Sequence, residues 1–240
     1  MQFLRLKMKK NIIILSFVTI GLFSCVQGSK STPESVNIET SKSVKNIQND
    51  KNIYTKYEYA DSKGGNLIIQ NSFPKGGTKY IAPTGEVYYY TVFFTRIINE
   101  TENPLELKIK FPADSYELLS LPGKHFKILL PPNKMSLDKE PMFNYGLTEL
   151  ESFLDNNRNK SSTLNSIINP KDSTCFYVLK LNISEKSGLR NNGSIRAEFK
   201  LKNQDLYYKV KNDGSKTNSK SSDIEINCGS INFKNVTLQK

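Results

Sequence analysis

The sequence predicts an all-β fold, two antiparallel sheets packed as a sandwich with one short helix, on three observations. Period-two alternation recurs: Leu105, Leu107, Ile109 and Phe111 alternate with Glu106, Lys108 and Lys110, which marks a strand with one buried face and one wet face. Strand-like runs are short and separated by turn chemistry at Gly64-Gly65, Pro74-Lys75-Gly76-Gly77 and Asn203-Gln204-Asp205. Helical spacing is credible only in one stretch, where Leu147, Leu150, Phe153 and Leu154 share a face. About eight short strands and one helix fit a two-layer sandwich.

The chain opens differently. Met8 to Cys25 reads MKKNIIILSFVTIGLFSC: Lys9 and Lys10, an apolar run from Ile12 to Phe23, then Leu22-Phe23-Ser24-Cys25. The run spans about 12 residues, roughly 18 Å as a helix, whereas roughly 20 residues are needed to cross a bilayer. It is too short for a permanent span, and the order of charge, apolar run and small residue before a cysteine is that of a cleaved secretory signal. The segment resembles the signal of bacterial lipoproteins. That resemblance implies a diacylglycerol on the Cys25 thiol, cleavage after Ser24, and a bacterial envelope protein held on a membrane by lipid. Met8 alone gives a well-formed signal, so Met1 to Lys7 reads as an upstream start. Three segments are expected: a signal peptide over 1–24, a lipidated flexible tether over 25–52, and the sandwich over 53–240.

Residues 26–50 are rich in Ser, Lys, Asn and Thr and have no apolar period, so they bury too little surface to offset the entropy of ordering. In some bacterial lipoproteins an acidic run after the cysteine accompanies export to the cell surface; none follows Cys25, so the resemblance implies an inward-facing anchor, expected on the outer membrane facing the periplasm. Strands then begin near Ile53 with Tyr54, Tyr57 and Tyr59, and continue through Asn66 to Gln70. Glu86 to Asn99, EVYYYTVFFTRIIN, is the most strand-like run, rich in β-branched and aromatic residues. Its apolar groups fall at both parities, so it is placed at the centre of a sheet and is either covered on both faces for part of its length or bulged midway; if both faces are covered, Phe93 and Phe94 are both buried. The turn at Asn99 to Pro104 is expected to make a hairpin with Leu105 to Phe111. His125 to Leu130 is another extended piece.

Thr148 and Glu151 have the spacing of a capping box for the one helix, and Leu164 to Ile168 is expected to add a helical turn. Strands follow over Cys175 to Ile183, Ile195 to Lys202, Leu206 to Val210 and Ile224 to Cys228, with a last run near Ile231 to Leu238.

The chain has three cysteines. With Cys25 consumed by lipid, Cys175 and Cys228 remain as an even pair in an oxidising compartment, each on the apolar side of an alternating run. A bridge between them is expected; it would close a loop of about 50 residues and add on the order of 4 kcal/mol.

Catalytic chemistry is sparse. His125 is the one histidine, no GxSxG elbow presents a serine, and neither spare cysteine has the close ligand spacing of zinc sites. Gly64-Gly65 and Gly76-Gly77 lack the phosphate-binding patterns and read as hairpin turns. No cofactor, metal or nucleic-acid partner is indicated, and the chain is expected not to be an enzyme. Removing the signal lowers the formal charge from +11 to +7, a solvated basic surface. Twelve tyrosines and no tryptophan suggest a stacking surface, with Tyr88 and Tyr90 on one side of the central strand as the candidate.

TRIINETENPLELKI and INFKNVTL resemble parts of bacterial immunoglobulin-like domains, where a strand ends in a polar turn and returns with one-sided alternation. The resemblance implies an immunoglobulin-like sandwich and carries over no binding residue: Trp is absent, and Ile226 stands where a true immunoglobulin domain has Tyr. The expected role is a membrane-anchored envelope module that binds a protein or glycan partner. The alternative is a glycan-active enzyme whose carboxylates converge only in the fold, recognisable by two acids about 5 to 10 Å apart in a large cleft.

Overall fold

The computed structural model describes residues 51–233 other than 62, 119–122, 184–194 and 213–222. These residues form an all-β fold with two antiparallel sheets and a single short α-helix. The first sheet contains β1 (Ile53–Ala60), β2 (Asn66–Ser72), β3 (Lys75–Ile81), β4 (Val87–Asn99), β6 (Tyr116–Glu117), β7 (His125–Leu129) and β9 (Ser173–Ile183). The second contains β5 (Leu105–Phe111), β8 (Ser162–Ile168), β10 (Ile195–Lys202), β11 (Asp205–Asn212) and β12 (Ile224–Phe233), and α1 is Leu150–Asn157. The spatial orders are β1-β2-β4-β9-β7-β6 and β10-β11-β12-β5-β8.

The central strand is β4, as expected from its composition. Along one edge it pairs first with β3 and then with β2, which run end to end beside it, and along the other with β9. Its two parities serve two different cores. Phe93 and Ile97 face the second sheet, where they join Leu107, Phe111, Phe176 and Phe199. Tyr88, Tyr90, Val92 and Phe94 face outward into a second apolar layer, closed over by Met135, Tyr145, Leu147, Leu150 and Leu154 from the segment that carries α1. A strand clothed on both faces has no reason to alternate, and Phe93 and Phe94 are 2 % and 0 % exposed.

Four local expectations are corrected. β4 and β5 do not form a hairpin: β5 pairs with β12 and β8 in the other sheet. The turn between them crosses the sandwich, organised by the fully buried Asn99, whose Nδ2 donates to the carbonyls of Asn103, Ile168 and Asn169 while its Oδ1 accepts from the amide and hydroxyl of Thr101. Leu164 to Ile168 is strand, held in register by Leu105 to Ile109 of β5. The capping box does not form, because the chain enters α1 through Glu149 in the left-handed region (φ 56°) and no side chain caps the N-terminus of the helix. Gly76 and Gly77 lie within β3 at a register shift, a bulge rather than a hairpin turn.

Gly229 shows why one position in β12 tolerates no side chain. A Cβ there would lie 1.9 Å from the Lys108 carbonyl oxygen of β5, so only glycine lets the two strands pair.

Candidate functional site

The residues singled out in the sequence fall in separate places. Cys25 lies outside the described residues. Cys175 and Cys228 are both free thiols, which corrects the expected bridge. Cys175 packs on the outer layer of the first sheet, whereas Cys228 points into the core between the sheets, so the backbone of the first sheet separates them. Burial pushes each thiol up to about 12, which leaves no thiolate to react.

Tyr88 and Tyr90 do not form a stacking surface either. They are 9 % and 7 % exposed and belong to the floor beneath α1. Tyr88 donates to Glu86 Oε2 at 3.0 Å, and its neighbour Tyr80 donates to Asp155 of α1. Outward parity means exposure only where nothing covers the sheet, and here a helix does.

The aromatic and charged groups that do reach the surface converge elsewhere, where side chains of β1 reach the free edge of β10. Three tyrosines of β1 meet that edge in sequence. Tyr59 accepts the Leu201 amide at 2.8 Å. Burial and, second, the Glu198 carboxylate beside it push the Tyr57 phenol above its ordinary range. Tyr54 ends the row, its ring tilted against Phe73 with centroids 5.5 Å apart. Over this ring pair lies the Arg196 guanidinium, 5.1 Å from the Phe73 centroid and 5.7 Å from that of Tyr54. Lys211 approaches Tyr54 at 5.8 Å and pairs with the buried Glu198 at 2.8 Å.

Tyr54, Phe73, Arg196 and Lys211 are all half-buried. Arg196 donates to its neighbour's carbonyl at Ile195, and no carboxylate among the described residues is paired with it. The arrangement offers ring faces on which a sugar can stack and a guanidinium fork that suits a carboxylate or sulfate. Sequence reasoning missed it, because Arg196 and Phe73 are far apart in the chain and neither lies in a motif; the i, i+3, i+5 tyrosines of β1 were the available signal.

A shallow cleft of about 490 Å³ is lined by the β1–β2 turn, the crossover after β4 and the β8–β9 turn. It contains Asp61, Glu100, Glu102 and Lys171. These acids are already engaged: Asp61 Oδ1 accepts the amides of Lys63 and Gly65, Glu102 pairs with Lys171 at 2.7 Å, and Glu100 accepts from Asn66 Nδ2. Their chemistry is that of turn building.

His125 is half-buried on β7, opposite Ile183 and Glu117. Among the described residues no three metal-ligating side chains lie together, and no helix is long and apolar enough to cross a membrane. One charged group is out of place: Lys180, wholly buried between the sheets, donates to Asn182 and lies 4.6 Å from the Phe126 ring centroid. Burial pushes its amine down to about 7. Comparison of the chain with protein-family models, curated proteins and solved structures returns no match.

Proposed function

We propose that this chain is a non-catalytic binding module of the bacterial envelope, lipidated at Cys25 and held on the outer membrane facing the periplasm, and that it recognises an acidic glycan or protein through the Tyr54, Phe73, Arg196 and Lys211 corner. The observation that carries the binding face is Arg196, a cation laid over two half-buried rings with no acid among the described residues to neutralise it. Ring pairs capped by an unneutralised guanidinium suit a planar anion above an apolar surface. The membrane anchor rests on the Met8 to Cys25 segment.

A glycan array and a pull-down from envelope extract test the reading, each run with the wild-type chain and with Arg196→Ala and Tyr54→Ala. Capture lost in both variants supports it; capture unchanged in both removes the corner as the binding face. The alternative, a glycan-active enzyme, has its best candidate in the cleft, where Asp61, Glu100 and Glu102 lie together. Release of reducing ends from envelope glycan, abolished by Glu100→Gln or Glu102→Gln, would favour that reading over the first.

A further inference from the structure

We propose that the segment between β7 and α1 is a membrane-docking loop, which seats Leu137, Met142 and Phe143 in the interface of the bilayer that holds the chain. The inference rests on the membrane-anchored reading for one thing only, the nearness of that bilayer.

These three side chains are 45 %, 50 % and 73 % exposed and lie within seven residues of one another. Their exposure does not come from a loose loop. Asn144, Tyr145 and Gly146 follow one another in the left-handed region at φ 48°, 56° and 68°, a run that non-glycine residues adopt only when their surroundings impose it. The surroundings are visible. Tyr145 is fully buried, with its ring edge-on to Phe94 at 4.8 Å. Its hydroxyl donates to the Phe73 carbonyl at 2.6 Å, and its own carbonyl accepts from the Tyr177 hydroxyl at 2.7 Å. Lys75 crosses from β3, lies 4.2 Å above the Tyr145 ring and donates to the carbonyls of Glu140 and Met142 at 2.6 and 2.9 Å. A strained backbone pinned by a buried tyrosine and a lysine thus holds a phenylalanine in water. Nothing in the fold's own packing requires that phenylalanine.

The occupant is indicated by where the loop stands. The Phe73 amide donates to the Asn52 carbonyl at 2.8 Å, while the Phe73 carbonyl takes the Tyr145 hydroxyl. Asn52 immediately precedes β1 and is where everything N-terminal joins the sandwich; Ile53 packs in the same outer layer as Tyr145. The loop is therefore one residue, Phe73, away from the point through which the membrane pulls on the domain. A tethered domain meets its own bilayer at high effective concentration, so a weak apolar grip is sufficient to orient it. Within the loop Lys134 and Lys139 are outnumbered by Asp138, Glu140 and Glu149, so the grip is apolar rather than cationic and holds on neutral as well as anionic lipid.

The chain has no tryptophan, so Phe143→Trp supplies a single reporter at an exposed position. The full chain bearing it is purified from membranes and reconstituted in phosphatidylethanolamine/phosphatidylglycerol vesicles, and in phosphatidylcholine vesicles, each containing doxyl-labelled phospholipid. Leu137→Trp is a second reporter. Ile167→Trp is the control, 66 % exposed on the outward face of β8 in the other sheet. The expected result is blue-shifted, strongly quenched emission at 143 and 137 in both lipids and little quenching at 167. Unlabelled chain carrying Phe143→Asp and Met142→Asp together should lose orientation, read as at least a tenfold rise in protease cutting at the loop.

Quenching at 143 no greater than at 167 overturns the proposal. So does a blue-shifted but unquenched tryptophan, which places a protein partner or a second copy on the loop. The mass of the N-terminal peptide is measured on the same samples: a quenched reporter on a chain without an acyl group at Cys25 refutes the lipid anchor and upholds the loop.

Discussion

Asn71 and Phe199, 128 residues apart, exchange two hydrogen bonds across the seam between the sheets: Asn71 Nδ2 donates to the Phe199 carbonyl at 3.1 Å, and the Phe199 amide donates to Asn71 Oδ1 at 2.8 Å. Phe199 lies on β10, the last strand of its sheet, whose outer edge would otherwise offer unpaired backbone groups. The primary amide of Asn71 stands in for a neighbouring strand. Thr55 accepts from its Nδ2 and Thr95 donates to its Oδ1, each at 3.1 Å, so its capacity is filled. Asn71→Leu keeps the branching and the number of heavy atoms and strips both partners from a buried backbone pair. At roughly 1 to 3 kcal/mol for each orphaned group, we expect a loss of about 3 kcal/mol, measured from denaturant midpoints at unchanged slope; a loss under about 1 kcal/mol would show that water replaces the amide.

Phe93→Ala and Phe94→Ala each remove a buried ring from a different core, so each should cost roughly 3 to 5 kcal/mol. The two losses should be nearly additive because the rings project to opposite faces of the sheet. Chemical denaturation of both single variants and the double variant checks this; a small effect at Phe94 alone would mean that the layer carrying α1 does not pack as described.

Lys180 makes stability depend on pH in a direction fixed by its burial. Its amine is pushed down to about 7 in the folded chain, from about 10.4 when unfolded. Between those values the unfolded chain binds a proton that the folded chain does not, so stability rises with pH across that window. Below pH 7 the folded state bears the full cost of a buried ammonium. Above pH 10 the trend reverses, since burial pushes the Tyr59 and Tyr145 phenols up to about 12 and only the unfolded chain ionises them. Lys180→Met should therefore be more stable than wild type at pH 6, on the order of a few kcal/mol, with the advantage gone near pH 10. Thermal melts of both chains from pH 6 to 10 test it; a gap that does not change with pH would contradict it.

Cys175 and Cys228 should both alkylate without reductant in denaturant and resist alkylation in the native chain. Intact mass before and after reaction reads this directly; a need for reductant would restore the disulfide.

The core was more legible in the sequence than the surface. One-sided alternation in β5 and two-sided apolarity in β4 report how many faces of a strand are covered, and that information is local. Which sheet a strand joins is not local, so the Asn99 turn looked like a hairpin when a buried asparagine makes it a crossover. Leu164 to Ile168 is too short for its apolar spacing to separate helix from strand, and pairing with β5 decides it. Cys175 and Cys228 both alternate correctly, but period two says inward without saying into which of two cores. Tyr88 and Tyr90 failed for the reverse reason: the layer that covers them comes from a segment 50 residues further on. Arg196 over Phe73, and the loop pinned at Tyr145, depend on contacts between distant residues and have no sequence signature of their own.

The most direct test of a lipid-held envelope module is metabolic labelling with a fatty acid, comparing wild type with Cys25→Ser and followed by the mass of the mature N-terminal peptide. The expected result is label in the wild type, a mature chain that begins at Cys25 with diacylglycerol on its thiol, and an unlabelled, uncleaved Cys25→Ser precursor. Label retained by Cys25→Ser at the wild-type level, or a wild-type chain that keeps residues 8–24, would contradict it.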